Sequence, residues 1–529
     1  MQSRDSFQIT AAEWRWVIAF GILLVILAFV PFFWVALSSV AGTQWQFMGV
    51  LNNYRDGATY LAKMQQGFEG SWLVYFWHTP EPHSGAFIQV IYPALGQLAR
   101  LIDLSPIAMF HAARVVASFM MYMALYQLGA SIWVRLRTRR LFFLLVAVGS
   151  GLGWLFYPLF PTEIFPDLTI PEMYPLYSSL VNVHFPLTIA CLALLAAVIV
   201  MAFRPGADED PSVKNGGLLA GLLSFMVSLL YPQALLPLGA AIGIFVGVGW
   251  LRKRRVSARG LRWLLVIALP AVPMAAYYFA VVTYNPTLHE WTRQNVTLAP
   301  PPLVLALGLG VPLALALPGI YRAVRRFEPD GDQFMLIWLV VLLVMIYLPT
   351  TIQRRFAAGM MLPVAYFATR SLEDFWFTHI NQRWHYRLLA ILSPVLILSY
   401  IMLLVVNLQF NVGPFLNRDY AGALQWLHDR TQTSDVILAA EEVSIWVPAW
   451  AGARAVYGHP YETLDAATKE REVTAWFSGQ DTDCPALLNK YHVRYVIYGP
   501  LERELGQPTC LDTLRPVAQS GSVIVYAAY

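Results

Sequence analysis

Eleven apolar stretches of roughly bilayer-spanning length, about 20 residues each, recur along the chain and are separated mostly by short basic loops. They lie near residues 15–38, 107–134, 141–160, 185–203, 263–283, 303–321, 334–350, 358–372 and 388–408, with two more inside 215–250. That last run is uncharged over 36 residues, too long for one crossing, and "YPQ" at 231–233 divides it because Pro232 cannot continue a helical hydrogen-bond ladder. A chain patterned this way is an α-helical polytopic membrane protein. Composition agrees, with 57% of residues hydrophobic and 13% charged. Residues 15–38 lack the small-residue exit of a cleavable signal peptide and read as a retained first transmembrane helix. The net charge of +4 is small for 529 residues, and no basic tract interleaved with aromatics points to nucleic acid.

Positive charge orients the helices. "RLRTRR" (135–140), "RKRRVSARGLR" (252–262), "YRAVRRFEPDGDQ" (321–333) and "NQRWHYR" (381–387) all face the cytoplasm, with the N-terminus, provided that 86–103 does not cross. That segment is apolar but short, and it carries Pro93, Gln97 and Arg100. It is expected in, or re-entering, the outer leaflet. Three longer pieces then gather outside: the first loop (39–106), the loop 161–184, and everything after 408. The organisation expected is a membrane domain, 1–408, followed by an extracytoplasmic domain, 409–529. The short outer segment "TTIQRRFAAG" (350–359) breaks the charge rule by placing Arg354 and Arg355 where positive charge is depleted, and such exceptions usually carry function.

The tail has helix-like "NRDYAGALQWLHDRT" and strand-like "DVILAA", "RAVYG", "VRYVIYG" and "SVIVYAAY", the pattern of a small α/β domain. Cys484 and Cys510 both fall in it, and an external location permits a disulfide between them. Cys191 falls in a membrane helix.

The first loop opens with "NNYRDGATYLAKMQQG" (52–67). One reading makes Asp56 the cap of a short helix, 57–66, that Gly67 ends. The other notes that Tyr60 and Lys63 follow Asp56 at helical spacing, so that carboxylate, phenol and ammonium share one stripe, and that Glu81 and His83 return from the far end of the loop. A carboxylate so placed is what an acceptor hydroxyl needs as a general base.

With "YRDGATYLAKMQQG", "HTPEPHSGAF" and "MFHAARVVASF", about the first 200 residues resemble the GT-C-fold membrane glycosyltransferases, which include protein O-mannosyltransferases and the lipid A aminoarabinose transferase. The later segment "GARAVYGHPYETLDAATKE" (452–470) is similar to the bacterial branch that carries a C-terminal external domain. The resemblance implies a bacterial plasma-membrane enzyme that takes a sugar from a polyprenyl-phosphate donor. The acceptor would be a hydroxyl on a lipid, glycan or protein at the outer face, among membrane lipids. It puts Asp56 in the place of the catalytic acid, with Glu81 as a second carboxylate, and Arg114 in that of the family's arginine. Tyr60, Lys63, His83 and His184 are the further substrate-binding candidates, and Arg354 and Arg355 suit a lipid phosphate because guanidinium pairs bidentately with oxyanions. Many relatives carry two adjacent acids, whereas Gly57 follows Asp56 here. No cofactor is required, and a divalent metal stays open.

Other readings stand beside these. "QRRF" also suits phospholipid head groups, and His184 equally suits packing at the interface. Asp167 and Glu172 also serve to keep their loop soluble. His459 and Glu462 in "GHPYET" suit a metal or sugar contact, or a simple turn. The rival function is a lipid-linked-saccharide flippase or transporter, which intramembrane charge and an internal repeat would signal. Neither is evident in the sequence.

Overall fold

The computed structural model describes residues 8–38, 43–204, 211–328, 331–409, 412–480 and 483–528. Residues 39–42 of the first loop and 329–330 of the basic loop 321–333 lie outside the described residues. The chain divides into two compact units. One comprises Met1–Val30, Ala113–Tyr277 and Thr297–Val406, and the other Pro31–Ala112, Tyr278–Val296 and Asn407–Tyr529.

All eleven apolar stretches form helices. Eight of these helices are long and apolar enough to cross a membrane: Ala11–Val35, Pro106–Ile132, Leu136–Phe156, His184–Ala202, Pro232–Lys253, Ala258–Tyr284, Pro302–Arg326 and Gln382–Leu408. Asn215–Leu230 and Gly331–Met345 are apolar but shorter. Met361–Ser371 runs on into a π-helical turn, Leu372–Trp376. Tyr231 separates Pro211–Leu230 from Pro232–Lys253, with Pro232 in the first turn, where its missing N–H leaves no bond unmade. In the first unit, charges in and beside the basic loops are paired. Glu13 meets Arg139 at 2.8 Å, both buried, and Asp332 meets Arg322 and Arg370, each at 3.0 Å.

In the second unit, segment 86–103 yields a helix, Ile91–Leu101, of 11 residues. At 1.5 Å per residue it is roughly 16 Å long, about half the hydrocarbon thickness, so it does not cross. It packs against the helix Tyr54–Phe68 through glycines. A Cβ on Gly96 would lie 2.0 Å from the Met64 carbonyl, and one on Gly67 2.2 Å from that of Pro93. The Tyr60 and Tyr92 rings stack between the two helices at 4.4 Å.

Seven strands complete this unit. β1 (Trp45–Phe47) pairs antiparallel with β2 (Phe415–Asn417). The remaining five, β3 (Val436–Leu438), β4 (Arg454–Ala455), β5 (Val493–Tyr498), β6 (Arg515–Ser520) and β7 (Val523–Ala527), form one sheet in the order β4-β3-β5-β7-β6. Val436, Leu438, Val493 and Val496 bury their side chains with Trp476 and Phe477, and Cys484 and Cys510 join this core as a disulfide. The strand that sequence patterning misses is β6. It reads "RPVAQS", is largely solvent-facing, and lies at the sheet edge, where Pro516 is tolerated.

Candidate functional site

Asp56 sits in the first turn of Tyr54–Phe68, where free N–H groups favour a carboxylate. It is not the cap. The helix starts two residues earlier, and the cap position belongs to Asn53, whose backbone is left-handed (φ 50°) and whose side chain caps nothing. Gly67 does not end the helix either, since Phe68 is still helical; its role is the close approach to Pro93. The cap-and-stop reading is therefore corrected at both ends.

The Asp56 carboxylate has two polar neighbours. Oδ2 accepts from Asn53 Nδ2 at 2.6 Å, and Oδ1 lies 3.3 Å from Nε2 of His459. The Asp56 side chain is 39% exposed and that of His459 is 3% exposed. Packing around the carboxyl raises its pKa, but the His459 and Asn53 contacts outweigh this and hold it below the ordinary aspartate range. The result is an ionised carboxylate with an open face.

A buried ion group lies beside it. Lys63, two turns along the helix, places Nζ 2.5 Å from Glu462 Oε1 and 3.1 Å from Thr59 Oγ1. Glu462 Oε2 lies 3.5 Å from Nδ1 of His78, whose Nε2 donates to the Ile445 carbonyl at 3.0 Å. Burial alone would raise the Glu462 pKa. The Lys63 ammonium, and then His78, reverse this and leave the carboxyl well below its usual range. Burial pushes His78 down, so its ring is neutral at pH 7.

Glu81 and His83 are occupied in holding their own loop. Glu81 is 2.5 Å from Lys469 and accepts from Thr79, while Arg454 Nη1 donates to the Glu81 carbonyl at 2.6 Å. His83 Nε2 accepts the Phe76 N–H at 2.9 Å, so its Nδ1–H donates to the Glu81 carbonyl at 2.9 Å. Of the residues singled out from sequence in this unit, Asp56 keeps an open carboxylate face, while Lys63 and Tyr60 turn into the protein. Asn53, His78 and Lys469 were not recognised from sequence. His459 and Glu462 were noticed only for their mutual spacing.

The other candidates belong to the first unit. Arg114 is fully buried, with its guanidinium 4.1 Å over the Phe29 ring and Nη1 donating to the Leu180 carbonyl at 2.9 Å. His184 opens the helix His184–Ala202 and packs on Tyr231 at 6.0 Å. Arg354 and Arg355 lie on a short 3-10 helix, Gln353–Ala357, in the electrostatic reach of Glu172. Burial raises the Glu172 pKa more than the two arginines lower it. Arg354 Nε is buried without a hydrogen-bond partner among the described residues.

Among the described residues, no three His, Cys, Asp or Glu side chains converge as a metal set. Glu462, Glu81 and Glu441 are each paired with a cation, namely Lys63, Lys469 and Arg55. The arrangement does not fit a divalent ion.

Solved structures share this fold. ArnT from Cupriavidus metallidurans, determined bound to undecaprenyl phosphate, is 14% identical, with a TM-score of 0.57 covering 98% of this chain and 99% of that one. The Archaeoglobus fulgidus oligosaccharyltransferase, determined with Zn and sulfate, is 13% identical, with a TM-score of 0.55 covering 91% of this chain and 68% of that one. The mycobacterial arabinofuranosyltransferase AftD is 13% identical at a TM-score of 0.54, and the match covers 97% of this chain but 41% of that longer one. No protein-family model matches the sequence, and no curated protein matches it. The chain thus has the fold of GT-C membrane glycosyltransferases.

Proposed function

We propose that this chain is an integral-membrane glycosyltransferase that moves a sugar from a polyprenyl-phosphate donor to an acceptor hydroxyl in one inverting step, with Asp56 as general base. The observation that carries this reading is the state of Asp56: ionised, held at both oxygens, and open to solvent beside a group of buried ions. In that step the carboxylate takes the hydroxyl proton while the hydroxyl oxygen attacks the anomeric carbon. The bond from that carbon to the lipid phosphate breaks, and the phosphate leaves with the electron pair. Glu81 acts on the 78–83 loop through Lys469 and Thr79, as a positioning group.

The undecaprenyl phosphate bound by the fold-mate ArnT supports a lipid phosphate as the donor's carrier. Arg354 and Arg355 are assigned to that phosphate, and the unpartnered Arg354 Nε supports the assignment. Replacing both by Gln is expected to weaken polyprenyl-phosphate binding by several kcal/mol, at about 1.5–3 kcal/mol per charge-assisted hydrogen bond. The fold should persist, because Glu172 already leans toward its protonated form. Unchanged affinity by titration in detergent would leave the two arginines as anchors only.

The orientation assigned is N-terminus and basic loops cytoplasmic, with the tail outside the bacterial plasma membrane. In a Cys191→Ser background, Arg137→Cys and Val256→Cys should react only with membrane-permeant reagents, and Arg430→Cys with impermeant ones. Opposite labelling of 137 and 256 would end this topology.

The function itself is tested by supplying the full chain in nanodiscs with lipid-linked sugar donors and envelope acceptors. The expected result is release of polyprenyl phosphate in step with sugar transfer. In proteoliposomes, intact donor that changes leaflet without cleavage would make the protein a carrier instead.

A further inference from the structure

His459 reaches Asp56 from a turn built to hold one ring nitrogen fixed. Nδ1 of His459 accepts the main-chain N–H groups of Tyr461 at 3.1 Å and Glu462 at 3.2 Å. A ring nitrogen that accepts two N–H groups carries the lone pair, so the proton of the neutral imidazole is on Nε2. That N–H faces Asp56 Oδ1 at 3.3 Å. The turn is pinned by Thr463, whose Oγ1 accepts from the N–H groups of Gly458 (3.3 Å) and His459 (3.1 Å) and donates to the His78 carbonyl at 2.6 Å. Gln294 Nε2 closes it from another segment by donating to the Thr463 carbonyl at 2.9 Å.

The geometry points to His459 as a positioning residue for the proposed reaction: a neutral imidazole whose Nε2–H orients the Asp56 carboxylate, so that the C-terminal segment completes the site begun by the first loop. The inference rests on Asp56 as general base. A neutral donor suits that task. It aims the carboxylate and favours its ionised form without the Coulomb attraction of a cation, which would blunt its basicity further. The two main-chain amides oppose protonation of Nδ1 and so keep the ring in this state. The charged and titratable groups around the pair are Glu462, which opposes ionisation of Asp56, and Tyr92 from the neighbouring helix. Lys63 and His78 lie behind Glu462, and Glu441 with its partner Arg55 lies within reach of His459.

The test is the pH profile of kcat/KM for the purified full chain, with His459→Ala, His459→Gln and Asp56→Asn in parallel. Losing the donor removes a contact that favours the carboxylate, so His459→Ala should move the acid limb upward by on the order of one pH unit. Below that limb activity should fall about tenfold, with the donor KM unchanged. Gln carries an amide N–H at similar reach, and His459→Gln should restore the wild-type limb. An unmoved limb in the Ala variant, or Ala and Gln variants equally displaced, would overturn the inference. If the Ala variant does not fold, a Gln variant with a displaced limb overturns it alone. An Asp56→Asn protein that stays active removes the general-base reading itself, so the two failures are distinguishable.

Discussion

Asp56→Asn should leave a folded protein that has lost transfer. The substitution keeps size and an oxygen that accepts from His459 Nε2, and the side chain amide of Asn53 can rotate to present its oxygen to the new amide. Stability should fall only by about the 0.3–1 kcal/mol expected for a charge at a helix N-terminus. An amide does not take a proton from a hydroxyl, and removing a general base typically costs about 100-fold to 10,000-fold in rate. Expression, melting temperature and donor binding are therefore expected near wild type while turnover collapses. Steady-state turnover of a lipid-linked donor, measured beside a thermal melt, separates the two effects. Full activity in the Asn protein would remove Asp56 from the chemistry.

Lys63→Met should do the opposite, damaging the fold first. Lys63 is 1% exposed and its ammonium is what keeps the buried Glu462 ionised. Met fills a similar volume but leaves Glu462 without its cation, a loss of about 3–5 kcal/mol for a broken buried pair. The sign with pH follows from the carboxyl. In the wild type the depressed Glu462 pKa contributes stability that is present above the unfolded carboxylate pKa and lost as pH falls through the folded value. Without Lys63 burial dominates and the folded pKa rises, so stability is best in acid, where Glu462 is protonated, and drops as pH climbs. The gap between the two proteins should be wide at pH 7 and should narrow toward about pH 4, near the ordinary glutamate pKa. Adding Glu462→Gln should recover much of the loss. Equal melting temperatures at pH 7 would contradict this account of the buried group.

The helices were legible because a 20-residue apolar run has few other uses, and Pro232 and the shortness of 86–103 resolve the two ambiguous places. The site was legible only in part. The stripe from Asp56 to Lys63 follows from helical spacing within one short segment, and the three-residue interval of His459 and Glu462 is equally visible. Their meeting is not, because Lys63 and Glu462 are 399 residues apart and no periodicity connects them. The cap assignment failed for a local reason. Asn53 adopts a left-handed backbone and the helix begins early, which turns an expected cap into a first-turn carboxylate. Strand β6 escaped because an edge strand needs little apolar alternation.

The central claim is a single displacement at the anomeric carbon driven by Asp56. It is tested most directly by the anomeric configuration of the first product formed by the purified full chain from a donor of known configuration, read from the anomeric proton by NMR. The expected result is a product of inverted configuration whose formation disappears in Asp56→Asn. A product that retains the donor's configuration would require two displacements and a covalent intermediate, and would contradict the account.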